Sequence, residues 1–151
     1  MGLLLEILEN VLLRKKREQI VELKEITCKR KDDDYIKRFR TSVVGAEHKN
    51  IDGSDRQEAL KKLKEGEKVR LIWSPGGSGN KEIVYLVKKS MGKELNLPDC
   101  FGRLNDKVAA NVVEWLNKKD IVTSAKVVKI TGGTRKRPKL GCVLELTTYQ
   151  V

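Results

Sequence analysis

Residues 75–81 (Pro75, Gly76, Gly77, Ser78, Gly79, Asn80, Lys81) have the composition of a loop that could wrap a phosphate. A P-loop requires G-x-x-x-x-G-K-[ST] leading from a strand into a helix, so that backbone N–H groups and the helix N-terminus meet the anion. Here Lys81 is followed by Glu82 and a strand-like run, so nucleotide hydrolysis is not expected. The single histidine, His48, would have to serve as the base of any His-dependent triad, yet no nucleophile elbow is present and its neighbours are Glu47, Lys49 and Asn50. Asp32, Asp33 and Asp34 are consecutive and lack the spaced ligands of a metal loop. Cys28, Cys100 and Cys142 are odd in number, widely separated and without a CxxC pair, which argues against a disulfide framework or a zinc site. The expectation is a non-enzymatic protein with no catalytic residues, no metal and no cofactor.

Binding chemistry is better represented. Lysine and arginine total 32 against 21 acidic residues, a net charge of +11 in 151 residues, which calls for an anionic partner without choosing among nucleic acid, membrane surface and phosphorylated ligand. The excess is segregated. Residues 14–40 hold 11 basic against 6 acidic residues, residues 118–139 hold 8 basic against Asp120 alone, and the stretch between them is nearly balanced. Arg38, Phe39 and Arg40 alternate, so a strand there sends both arginines to one face and Phe39 to the other. Arg135, Lys136 and Arg137 fall in a turn, where long cationic side chains can reach phosphates without disturbing a core. Tyr35 and Tyr85 are the candidate stacking aromatics for a single strand, with core packing the competing role for Tyr85.

These residues must be held by elements that the apolar pattern outlines. Leu4, Leu8, Val11 and Leu12 form the stripe of an amphipathic helix followed by Arg14–Arg17, suited to packing on the domain, on a second copy or on a membrane surface. The acidic polar face near its start favours the first two. Residues 29–34 read as a solvated linker, dividing the chain into an N-terminal helix and linker over 1–34 and a domain over 35–151. A short strand around Ser42, Val43 and Val44 ends at Gly45. Ser54 and Gln57 have the spacing of a capping box opening a helix over 54–66, closed by Gly66. Strands are expected over 68–73 and 82–87, a second helix over 106–118 capped by Asn105, and a long hairpin of 122–131 with 140–149 around the turn 132–139. No apolar run is long enough to span a membrane, and the basic cluster follows the apolar stretch where a secretory signal would have it first. A cytoplasmic protein is therefore expected.

The order of these features resembles the HIRAN domain, a small module found alone in bacteria and attached to helicase-like proteins. The resemblance covers residues 39–149. It rests on the opening Ser42-Val43-Val44-Gly45, the helix and Gly66 before 68–72, Pro75 with its polar turn, Gly102 and Leu104 before the second helix, and the closing run 127–133. It implies α+β architecture, a small six-stranded OB-like β-barrel with two inserted helices, to which the N-terminal helical extension is added. It also implies capture of single-stranded DNA at its 3′ end. This sequence has Ala46, Glu47, His48 and Lys49 after Gly45, in the stretch where the family places an aromatic pair, Gly79 and Asn80 where it places Tyr and Asp, and Arg103 where it often has His or Tyr.

Charge and resemblance together point to a module contacting single-stranded or end-exposed DNA. Arg38, Arg40, Arg103, Arg135, Lys136 and Arg137 are the expected phosphate contacts, with His48, Lys49, Asn80 and Lys81 lining an altered end pocket. The competing expectation is a protein-interaction or self-association module working through residues 1–24, with no DNA-end pocket.

Overall fold

A computed structural model describes residues 23–29, 34–75, 82–89 and 95–151 of the chain. The expected N-terminal helix falls outside the described residues. The remainder is α+β, with seven strands in one sheet and two α-helices. In chain order these are β1 (Lys24–Glu25), β2 (Tyr35–Ser42), α1 (Arg56–Lys61), β3 (Lys68–Ser74), β4 (Ile83–Lys88), β5 (Cys100–Arg103), α2 (Asp106–Lys119), β6 (Ile121–Thr131) and β7 (Gly141–Gln150). Among them, no helix is long and apolar enough to cross a membrane.

The long hairpin of β6 and β7 forms where period-two alternation was strongest, pairing Ile121 with Gln150 at one end and Thr131 with Gly141 at the other. Its inward residues Ala125, Val127, Leu144 and Leu146 are buried with Val69 and Leu71 of β3, Val84 and Leu86 of β4, and Phe101 of β5. Burying each such aliphatic side chain contributes about 1.5–3 kcal/mol. Helix α2 covers this face through Ala109, Val112 and Val113. Its N-cap is the expected one: the Asn105 side chain accepts the Val108 N–H at 2.9 Å. Trp115, on the same helix, meets Phe39 edge-to-face at 6.0 Å between centroids, so Phe39 packs inward and leaves Arg38 and Arg40 exposed.

Among the described residues the named strands pair antiparallel, in the order β2-β7-β6-β3-β4-β5, with β1 on β3, and Thr27 and Thr123 form an isolated parallel bridge. The expected six-stranded barrel is corrected here: the sheet has seven strands and its ladder is not closed. Its two edges meet in one residue pair, Val44 with Arg103, each donating its N–H to the other's carbonyl at 3.0 Å. A sheet whose edge strands touch must curl, but β5 is four residues long and β2 has already ended, leaving no room for a longer ladder. Gly102 makes that approach possible, since a Cβ on it would lie 2.4 Å from Val43 Cγ1 and 2.9 Å from the Val44 carbonyl oxygen.

The linker boundary also differs from the charge-based division. β3 and β6 pair only through Lys68–Lys126 and Val69–Ala125 before they part, and residues 24–28 fill the opening. Lys24 and Glu25 pair with Trp73 and Ile72, the Ile26 N–H donates to the Leu71 carbonyl, and the Cys28 N–H donates to the Thr123 carbonyl, both at 2.9 Å. Ile26 is buried in the main core. Only one apolar residue of this segment faces inward, too little periodicity for sequence to mark it as a strand. Arg70 holds Glu25 in a hydrogen-bonded ion pair. Burial alone would raise the Glu25 carboxyl, but the hydrogen bond and charge of Arg70, with Thr27 and Lys29, hold it below its ordinary 4.5.

The first helix is shorter than expected. α1 ends at Lys61 and its N-cap is Asp55, whose side chain accepts the Gln57 N–H. Ser54 instead donates its hydroxyl to Asp52, and Gly66 occupies a left-handed turn that donates its N–H to Val127. The capping-box spacing was real but Gln57 is recruited elsewhere.

Two outcomes follow from this packing. Gly102→Ala should cost about 1–3 kcal/mol by crowding Val43 and Val44, read as a lower midpoint in urea denaturation. Because the folded-state carboxyl of Glu25 is depressed, its ion pair stabilises the fold above pH 4.5 and is lost as pH falls through the folded value. Arg70→Ala should therefore narrow the stability difference between neutral and acidic pH, measured by thermal denaturation across that range.

Candidate nucleic-acid interface

The chain leaves β2 at Ser42 and enters a loop whose position is set by two buried polar residues of α1. Arg56 and Gln57 are 9% and 7% exposed, so their polar atoms must find partners inside the protein. Arg56 donates through Nη1 to the Gly45 carbonyl at 2.8 Å and through Nε to Asn50 Oδ1 at 2.9 Å. Asn50 in turn donates through Nδ2 to the Leu97 carbonyl at 2.8 Å. Among the described residues no carboxylate forms an ion pair with Arg56, so its charge is held by neutral dipoles and adds to the positive potential of this end of the sheet.

Gln57 joins two loops that are far apart in sequence. Its Nε2 donates to the carbonyls of Ala46 and Leu140 at 2.9 and 3.0 Å, while its Oε1 accepts the Leu140 N–H at 2.7 Å. The loop carrying His48 and the base of the 132–140 turn are thereby fixed side by side. In the turn, Thr134 accepts the Arg137 N–H through its hydroxyl and donates its own N–H to the Arg137 carbonyl. Arg135, Lys136 and Arg137 are all exposed.

The expected site residues separate into groups on this frame. Arg38 and Arg40 stand outward on β2, opposite Thr147 and Glu145 of β7. Their stripe leads toward the end of β2, where Ser42 pairs with Val143 just past the turn. Tyr35 is 47% exposed and Arg38 already lies over its ring, 4.0 Å from the centroid, a cation–π contact that offers a mixed aromatic and cationic surface. Tyr85 is the more buried of the two, and burial pushes its hydroxyl above the ordinary value.

His48 and Arg103 are brought together across Gly45, whose missing Cβ would be 3.7 Å from His48 Cδ2 and 3.9 Å from Arg103 Cγ. His48 is largely exposed, 3.6 Å from Glu47. Arg103 is tethered to Asp106 at 2.9 Å, so an anion would share it with that carboxylate. Lys49 is exposed, its backbone bridging to Asp55. Asn80 and Lys81 lie outside the described residues. The thiols of Cys100 and Cys142 are buried, that of Cys142 being pushed up to about 12. Among the described residues no group of three or more potential ligands could hold a metal ion.

Sequence reasoning missed Asn50, Arg56 and Gln57, because a buried glutamine near a helix start looks like a cap. It also missed the outward cations Lys68, Arg70 and Lys126, although the alternation Lys68-Val69-Arg70 was there to be read in the manner of Arg38-Phe39-Arg40. The register aligns Arg40, Glu145, Lys126 and Lys68 across four strands of the outer face.

Comparison of this chain with protein-family models, curated proteins and solved structures gives no match.

The Gln57 bridge has a direct test. Gln57→Ala leaves the Ala46 carbonyl and both backbone polar groups of Leu140 without these partners, at a cost of about 1–3 kcal/mol. Amide hydrogen exchange should accelerate together in residues 45–50 and 132–140, whereas separate responses would mean that the two loops are not coupled through this side chain.

Proposed function

We propose that this protein is a non-enzymatic, HIRAN-like nucleic-acid-binding module that contacts single-stranded or end-exposed DNA through a cationic surface running from β2 to the turn between β6 and β7. The observation that carries the reading is the Gln57 bridge. It fixes the Arg135–Lys136–Arg137 turn beside the loop that carries His48, which Gly45 brings close to Arg103 of β5, at the end of the sheet toward which Arg38 and Arg40 lead. Cations that sequence places in three separate segments thus support one cationic track for an anionic strand.

The chemistry suits a strand whose backbone is held by charge. Guanidinium groups donate to phosphate oxygens in paired geometry, and the Tyr35–Arg38 stack and the exposed His48 ring offer flat surfaces for bases. The curled sheet, tied at Val44 and Arg103, supports an OB-type relationship without a closed ladder. The altered residues of the end pocket put more of the binding on the phosphate track than on recognition of a terminus.

Fluorescence anisotropy with single-stranded, blunt duplex and 3′-blocked oligonucleotides at two salt concentrations tests the reading. Binding should weaken with salt, and the logarithmic salt slope should fall by about 1 for each phosphate-contacting cation removed, as in Arg38→Ala or Arg137→Ala. Absent or salt-insensitive binding would overturn it.

A further inference from the structure

On the outer face, where β3 and β6 part, lies a cavity of about 440 Å³. That volume is within the range of roughly 300–1,000 Å³ usual for small-ligand sites. Glu25, Thr27, Cys28 and Lys29 form one wall, β3 and β6 two more, and Lys89, Glu145 and Thr147 complete the lining.

Five cations line it, Lys29, Lys68, Arg70, Lys89 and Lys126, against two carboxylates, Glu25 and Glu145. Each carboxylate is matched to a cation: Glu25 pairs with Arg70, and Glu145 lies 3.6 Å from Lys126. Lys29, Lys68 and Lys89 form no ion pair within 4.0 Å among the described residues, and the described lining carries a net charge of +3. The register makes this concentration costly, because Lys68 and Lys126 sit directly opposite each other on adjacent strands, an arrangement that like charges destabilise. An anion between them would convert repulsion into attraction. No aromatic side chain is among the described residues that line the cavity, so there is no surface on which to stack a base, and the apolar contribution comes from the aliphatic stems of its long cationic side chains.

We propose that this cavity is a binding site for a compact polyphosphate group, whose several negative charges match the net positive charge of the lining. The group is either a free polyphosphate or the phosphate tail of a nucleotide whose base remains outside. The site is separate from the strand-binding surface in its chemistry and in its test, which uses no oligonucleotide.

The full chain is titrated with sodium tripolyphosphate at fixed ionic strength, following thermal denaturation and the alkylation of Cys28 by neutral iodoacetamide. Cys28 lines the cavity, whereas Cys100 and Cys142 are buried. Tripolyphosphate should raise the Tm and slow alkylation of Cys28. Lys68→Ala should weaken both responses by about tenfold, the usual loss for a charge-assisted hydrogen bond. With its opposition to Lys126 removed, the ligand-free variant should melt no lower than the parent. Lys107→Ala, an exposed cation outside the cavity, should leave the titration unchanged. Adenosine triphosphate protecting Cys28 as well as tripolyphosphate does would identify a nucleotide tail as an acceptable source, and protection by tripolyphosphate alone would restrict the site to free polyphosphate. Equal protection by adenosine, no response to tripolyphosphate, or an unchanged response in Lys68→Ala would overturn the proposal.

Discussion

A buried guanidinium and a buried carboxamide at the start of a six-residue helix hold the loop end of this protein together. Taking such groups out of water is unfavourable unless their donors and acceptors are met. Arg56 and Gln57 meet them by gathering backbone groups from Gly45, Ala46 and Leu140 and the side chain of Asn50. The helix is too short to owe its stability to its own hydrogen bonds. Helix and loops are mutually dependent, and the positions of His48 and the basic turn follow from that dependence.

The opposite end of the architecture is governed by a shortage of pairing. β3 and β6 separate after two residue pairs, and the exposed edge groups are taken up by residues 24–28. The Leu71 N–H is satisfied by the Thr27 hydroxyl at 2.8 Å rather than by a ladder partner. The insertion leaves a recess on the outer face and crowds cations around it. The same lysine-rich composition that reads as a diffuse charge along the chain becomes a directed electrostatic feature where strands diverge, since field strength depends on separation and solvent access rather than on count.

Legibility in the sequence follows interaction range. The β6–β7 hairpin and α2 were readable because apolar periodicity and the Asn105 cap are local signals, and each element satisfies most of its backbone within itself or with its chain neighbour. The alternation at Arg38, Phe39 and Arg40 identified correctly which side chain packs inward, with Trp115 as its partner. α1 was misjudged in length, and Gln57 in its role, because its spacing from Ser54 suited a local bond while its side chain is used by residues as distant as Leu140. β1 was passed over because a strand that fills a gap needs backbone groups more than a patterned apolar face.

Residue types and order determine that this chain is strongly basic, that its charge is segregated, and that a long hairpin and a capped amphipathic helix contribute to its core. These are properties of local propensity and composition, which no rearrangement of the chain would change. The tertiary structure alone decides that the late basic turn adjoins the His48 loop, that Arg103 closes the two sheet edges in one residue pair, and that Lys68 faces Lys126 beside a recess. Each of these is a contact between segments far apart in sequence, set by strand register and by the need to satisfy buried polar groups, and neither constraint acts until the chain has folded.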